Sequence, residues 1–73
     1  MLKITFSEGD IEALQHWRFH HPEARVQVRM EALYLRSQRV ANHDIPRLCG
    51  ISKASFQRYL KAYATGGIEQ LKH

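Results

Sequence analysis

A chain of 73 residues with 44% apolar and 25% charged side chains makes one small domain, with room for a single modest core and little room for a catalytic cleft. Its apolar content argues against wholesale disorder, its lone cysteine excludes an internal disulfide, and no apolar run approaches membrane-spanning length. The net charge of +4 is unevenly spread: Glu8, Asp10, Glu12 and Glu23 outnumber Lys3 and Arg18 up to Ala24, whereas from Arg25 onward the lysines and arginines face only Glu31, Asp44 and Glu69. A cationic C-terminal two-thirds suits a polyanion, and nucleic acid is the commonest one.

Residues 2–6, LKITF, alternate apolar and polar, so they read either as an extended arm or as a short strand pairing with a second copy in a homodimer. The start MLKITF lacks the long apolar region of a signal peptide, and a cytosolic location is expected. Ser7, three residues before Asp10, is placed to cap a first helix over residues 8–20, whose early acids complement the positive end of the helix dipole. Ile11, Leu14 and Trp17 give that helix its apolar face. Pro22 ends it, pushes His21 out of helical geometry and is suited to open the next helix.

The second helix, over residues 23–38, has two apolar stripes, Val26, Met30, Leu33 and Val28, Ala32, Leu35. It therefore packs on both sides, with Arg25, Arg29 and Arg36 toward its remaining surface. Asn42 suits the following turn, and Pro46 lets a third helix start no earlier than about His43. In that helix Ile45, Leu48 and Cys49 share one face, and Gly50 supplies the left-handed residue that stops it. Ile51 plugs the corner, and Ser52 caps a fourth helix with the stripe Phe56, Tyr59, Leu60, Tyr63. Thr65-Gly66-Gly67 ends it, leaving Ile68 and Leu71 either to tuck back onto the core or to begin a connection.

Two helices joined by a tight glycine turn over residues 44–63 form a helix-turn-helix. The expected fold is all-α: a small homeodomain-like bundle of about four helices with a short extended N-terminal segment. Opposite the apolar stripe of the fourth helix lie Ala54, Arg58 and Lys61, flanked by Ser55 and Gln57, and no acid occurs between Arg47 and Gly67. Such a face can enter a DNA major groove. Arg58 has the fork to grip guanine, Gln57 the amide to pair with adenine, and Ala54 a methyl to meet thymine. Lys53, Ser55 and Lys61 point more toward phosphates, the helix start at Ser52 offers free amides to an anion, and Arg36, Arg39 and Arg47 extend the cationic flank.

Other chemistry is weakly signalled. His16 and His20 are spaced i, i+4, but no cysteine pair or nearby carboxylate completes a zinc site. Cys49 has no activating base, the tyrosines fall on or beside apolar stripes, and the acids are too few for a two-metal carboxylate cluster. No enzyme activity, cofactor, metal, membrane or small-molecule partner is expected, and double-stranded DNA is the expected partner.

The runs RMEALYL, GIS, RYLKAY and GGIEQL resemble the N-terminal helix-turn-helix domain of mariner-like bacterial insertion-sequence transposases. The resemblance spans about residues 5–71 and is most specific from Gly50 to Leu71. It implies that the domain recognises the terminal inverted repeats of a transposable element, in the bacterial cytoplasm and on the nucleoid when bound. It also implies that residues 52–61 form the recognition helix and that a separate RNase H-like domain with three metal-binding carboxylates, expected to be absent from this chain, cuts and joins the DNA. The sequence departs from the pattern at Pro46, where a small residue is usual. The alternatives are a free-standing regulator of transcription with the same fold and a protein-interaction module in which the basic helix is incidental.

Overall fold

Five helices follow one another in the computed structural model, which describes residues 4–72: α1 (Glu8–His20), α2 (Ala24–Ser37), α3 (Ile45–Cys49), α4 (Lys53–Gly66) and α5 (Ile68–Leu71). The all-α bundle is as expected, with α5 as one more short turn of helix than the sequence suggests. Among the described residues there is no strand, and no helix is long and apolar enough to cross a membrane.

Ser7 starts α1 by accepting the Asp10 N–H on its hydroxyl at 3.1 Å. Such a cap contributes about 1 kcal/mol. Of the expected apolar face, Leu14 is fully buried, Trp17 is half-buried against the core and Ile11 is half-buried. The turn into α2 is held by His21, whose carbonyl accepts Gln27 Nε2 at 2.6 Å and whose Nδ1 accepts the Glu23 N–H at 3.0 Å. Pro22 stays in this turn and does not open the helix, because Glu23 takes the N-cap position with extended backbone.

Helix α2 is central, with Val26, Met30, Ala32 and Leu33 buried, and it touches each of the other four helices. Its second stripe is shallower, with Val28 and Leu35 half-buried. Arg18 of α1 pairs with Glu31 of α2 at 3.3 Å and lies over the Tyr34 ring at 4.1 Å, a partly buried charged tie between the two helices.

Helix α3 spans five residues, too few to persist without tertiary support. Ile45 and Pro46 are its buried residues, and Cys49 is half-buried. Leu48, expected on the same face, is instead 63% exposed, beside the equally exposed Phe19. A single turn presents too narrow a face to bury three side chains once Pro46 occupies part of it. Proline in the first turn forfeits no helical hydrogen bond. The Pro46 carbonyl accepts the N–H groups of Gly50 and Ile51, so the proline closes the turn that follows.

The core comprises Leu14, Val26, Met30, Ala32, Leu33, Ile45, Phe56, Leu60, Tyr63 and Leu71. Leu71 answers the question left open by the C-terminal apolar residues: α5 tucks back. Gly67, at φ 70°, makes the reversal between α4 and α5, and its N–H is accepted by the Tyr63 carbonyl at 2.8 Å. Ile4 and Phe6 also pack onto the core, and the Phe6 ring stacks on Tyr63 with centroids 5.0 Å apart. The described part of the N-terminal segment is thus extended chain laid on its own domain. Leu2 and Lys3 of that segment lie outside the described residues.

A candidate nucleic-acid interface on helix α4

Helix α4 is fixed from both ends and from behind, which leaves one side for a ligand. At its start Gly50 has φ 69° and ψ 34°, left-handed geometry that glycine adopts without steric cost. Two residues on, extended Ser52 caps the helix by accepting the Ser55 N–H at 3.1 Å. Behind it, Phe56, Leu60 and Tyr63 are buried and Tyr59 is half-buried, as the stripe requires.

Tyr63 does more than fill the core. Its hydroxyl donates to Asp10 Oδ2 at 2.5 Å, tying the C-terminal half of α4 to the first turn of α1. Burial, then the hydrogen bond to Asp10 and the charge on Asp10, push the phenol well above its ordinary value. The phenol therefore stays protonated and donating throughout the neutral range.

On the outer side Ser52, Lys53, Ala54, Gln57, Arg58 and Lys61 are all exposed. The described residues of α4 and its preceding turn contain no acid. Arg58 Nη2 donates to Ser55 Oγ at 3.1 Å, and the Ser52 hydroxyl donates to the same oxygen at 3.1 Å. This chain of bonds draws the Arg58 guanidinium over the first turn of its own helix. Ser55 is consequently half-buried and engaged, so it orients Arg58 more than it reaches outward.

The flanking arginines project from elements other than α4. Arg47 is exposed on α3 and its Nη2 lies 2.7 Å from Asp44 Oδ1. Arg39 is exposed in the link between α2 and α3 at φ 66°, the one described non-glycine residue with positive φ. Arg36 is half-buried on α2.

Two clefts border α4, and sequence reasoning missed most of the residues that build them. On one side Asn42, His43 and Pro46 face Lys53 and Gln57. On the other, Arg29 of α2 and Gln70 of α5 face Arg58, Tyr59 and Ala62. Arg29 Nη1 donates to the Leu71 carbonyl at 3.2 Å, and its guanidinium lies 5.7 Å from the Tyr59 ring centroid. Nothing local in the sequence announces these neighbours, because they meet only when α5 folds back.

Elsewhere, His16 and His20 stack with ring centroids 4.4 Å apart, and the His20 Nδ1–H donates to the His16 carbonyl at 2.7 Å. Among the described residues no three histidine, cysteine or carboxylate side chains gather in a way that could hold a metal ion. Burial, and after it the charge of Glu31, push the Cys49 thiol up from its ordinary value, so the thiolate a nucleophile needs is disfavoured.

A short helix, a left-handed glycine and a capped second helix with a bare cationic face define a helix-turn-helix protein. The chain belongs to the homeodomain-like domain family, whose profile matches residues 23–72, from the cap of α2 through α5. A helix-turn-helix domain of this kind suggests DNA as the partner. Comparison with curated proteins and with solved structures gives no match.

Proposed function

We propose that this protein binds double-stranded DNA sequence-specifically by laying α4 in the major groove, and that it serves as the end-recognition module of a bacterial transposase. The observation that carries the DNA reading is the outer face of α4: Lys53, Ala54, Gln57, Arg58 and Lys61 exposed together on a rigidly backed, acid-free helix. Arg58 reads guanine through O6 and N7, Gln57 reads adenine, and Ala54 meets a thymine methyl. Lys53 and Lys61 contact phosphates, and the Ser52 end of the helix turns its amides toward the backbone.

Support for the transposase role is the resemblance of GIS, RYLKAY and GGIEQL to the end-binding domains of mariner-like insertion elements. In this reading the domain recognises terminal inverted repeats in the bacterial cytoplasm, on the nucleoid. It performs recognition alone, and strand cutting belongs to a separate carboxylate domain.

Selection of bound sequences from a randomised duplex pool, followed by a salt titration, tests both parts. Phosphate contacts require log affinity to fall with log salt by about 0.9 per phosphate neutralised. Arg58→Ala is expected to cost about 1–3 kcal/mol and to relax one position of the selected site, whereas Lys61→Ala weakens all sequences alike. A protein that retains no duplex at low salt removes the DNA reading. A selected site that does not occur at the ends of an element bounded by inverted repeats removes the transposase role and leaves a regulator of transcription in its place.

A further inference from the structure

We propose that Ser55 determines sequence specificity through Arg58: it holds the guanidinium over the first turn of α4, and that placement selects the guanine that Arg58 reads. The inference rests on the DNA reading above and deepens it. An exposed arginine left to itself spreads its guanidinium over many rotamers. Here Arg58 Nη2 donates to Ser55 Oγ at 3.1 Å, which turns the guanidinium toward the N-terminal end of the helix. Three residues of helix span about 4.5 Å of axis, more than the rise of about 3.4 Å between successive bases of a strand. The bond therefore displaces the reading group by about one base step from the level of its own Cα. Recognition helices of this motif meet base edges with their N-terminal residues, and the displacement brings Arg58 into that set beside Ala54.

Ser55 is itself fixed. It is half-buried, its N–H donates to Ser52 Oγ at 3.1 Å, and its own oxygen accepts the Ser52 hydroxyl at 3.1 Å. A serine oxygen has two lone pairs, and Ser52 and Arg58 occupy both. The direction of the pull matters as much as its strength. At 100° per residue Ser55 lies about 60° to one side of Arg58 and Gln57 about 100° to the other. Arg58 is thus drawn toward the cleft with Tyr59 and Ala62, while Gln57 borders the cleft with Asn42 and His43. Ser55 keeps the two long polar side chains apart, so each reads its own base pair. A guanidinium has five N–H donors and a guanine takes two, so the bond to Ser55 and the bond to a base are compatible. Ser55 is a positioning residue in this account and touches no base.

The test is the affinity ratio of guanine to the other three bases at each position of the selected duplex, measured by fluorescence anisotropy on the whole chain. The proteins are wild type, Ser55→Ala, Ser55→Thr, Arg58→Ala and the Ser55→Ala/Arg58→Ala double variant. The guanine preference that Arg58→Ala erases marks the position Arg58 reads. There, Ser55→Ala is expected to lower the preference about two- to twelvefold, the cost of immobilising one long side chain, and to leave the position read by Gln57 untouched. Ser55→Thr keeps a hydroxyl and should keep the preference. In the Arg58→Ala background the loss of the Ser55 hydroxyl should change nothing further, which separates positioning from a structural or phosphate-binding role. Ser55→Ala retains the backbone N–H that Ser52 accepts, so α4 stays capped and the melting temperature should hold. If Ser55→Ala keeps the full guanine preference, or weakens every sequence by one factor with and without Arg58, the proposal is overturned and the DNA reading stands. If wild type binds no duplex, the DNA reading falls and this proposal with it.

Discussion

Replacing Tyr63 by phenylalanine isolates the bond that ties α4 to α1. The ring stays, so the stacking on Phe6 and the apolar burial are kept, and only the hydroxyl that donates to Asp10 Oδ2 at 2.5 Å is lost. A hydrogen bond to a charged group contributes about 1.5–3 kcal/mol. Asp10 is half-buried and can take up water when its partner leaves, so a loss of about 1–2 kcal/mol is expected. For a domain of this size each kcal/mol moves the melting temperature by about 4–8 °C. Urea denaturation of wild type, Tyr63→Phe, Asp10→Ala and the double variant measures the coupling directly, because the effect of Asp10 on the helix dipole cancels in the cycle. Strictly additive losses would refute the bond as a stabilising interaction. The same contact sets a pH limit. The folded state holds the Tyr63 phenol above its ordinary value, so its contribution is complete below about pH 10, where the phenol is protonated in both states. At higher pH the unfolded chain releases the proton first, and stability falls as pH rises. Ultraviolet titration of phenolate, compared between wild type and Tyr63→Phe, should then show the Tyr63 phenol resisting ionisation until the chain unfolds; a Tyr63 that ionises at its ordinary value would sink the argument.

Two backbone positions give opposite outcomes. Gly50→Ala meets no atom with its new methyl group, so its cost is conformational alone, about 1–2 kcal/mol for a left-handed residue, and denaturant midpoints should fall with an unchanged m-value. Arg39→Gly removes the same kind of penalty at φ 66°, offset by the greater freedom of glycine in the unfolded chain; stability is expected to hold or rise by about 1 kcal/mol while DNA affinity at low salt declines, and a parallel fall in both would contradict it.

The features legible in the sequence are those that local chemistry writes. Ser7 and Ser52 cap the helices they were expected to cap, Gly50 adopts the left-handed turn, and the bounds of α1 are those the pattern predicts. Each depends on atoms within a few residues, so sequence spacing contains the whole signal. The outer face of α4 was legible for the same reason, since 3.6-residue periodicity sets which side chains oppose a buried stripe. What escaped depends on docking. Leu48 has the right spacing to be buried and is not, because α3 is one turn long and Pro46 takes the inner position. Arg29 looks like a surface residue of α2 until α5 folds over it and offers the Leu71 carbonyl. Asp10 carries a helix-start signal that is correct and hides its second role, a partner 53 positions along the chain. The ion pair of Arg47 with Asp44, an acid three residues before it, was likewise not read from the sequence.

The family match begins at residue 23, after α1 has ended, yet Leu14 and Trp17 of α1, and Phe6 before it, are packed into or against the core that supports α4. The segment that the family profile matches and the segment that buries this core are therefore different lengths of chain. A protein cut to residues 23–72 would keep the α4 face and lose Leu14, the Phe6 ring on Tyr63 and the carboxylate that Tyr63 donates to. Helix α1 lies outside the matched residues and buttresses the core behind α4, so changes in α1 can set how firmly α4 is held without altering any residue on its exposed face.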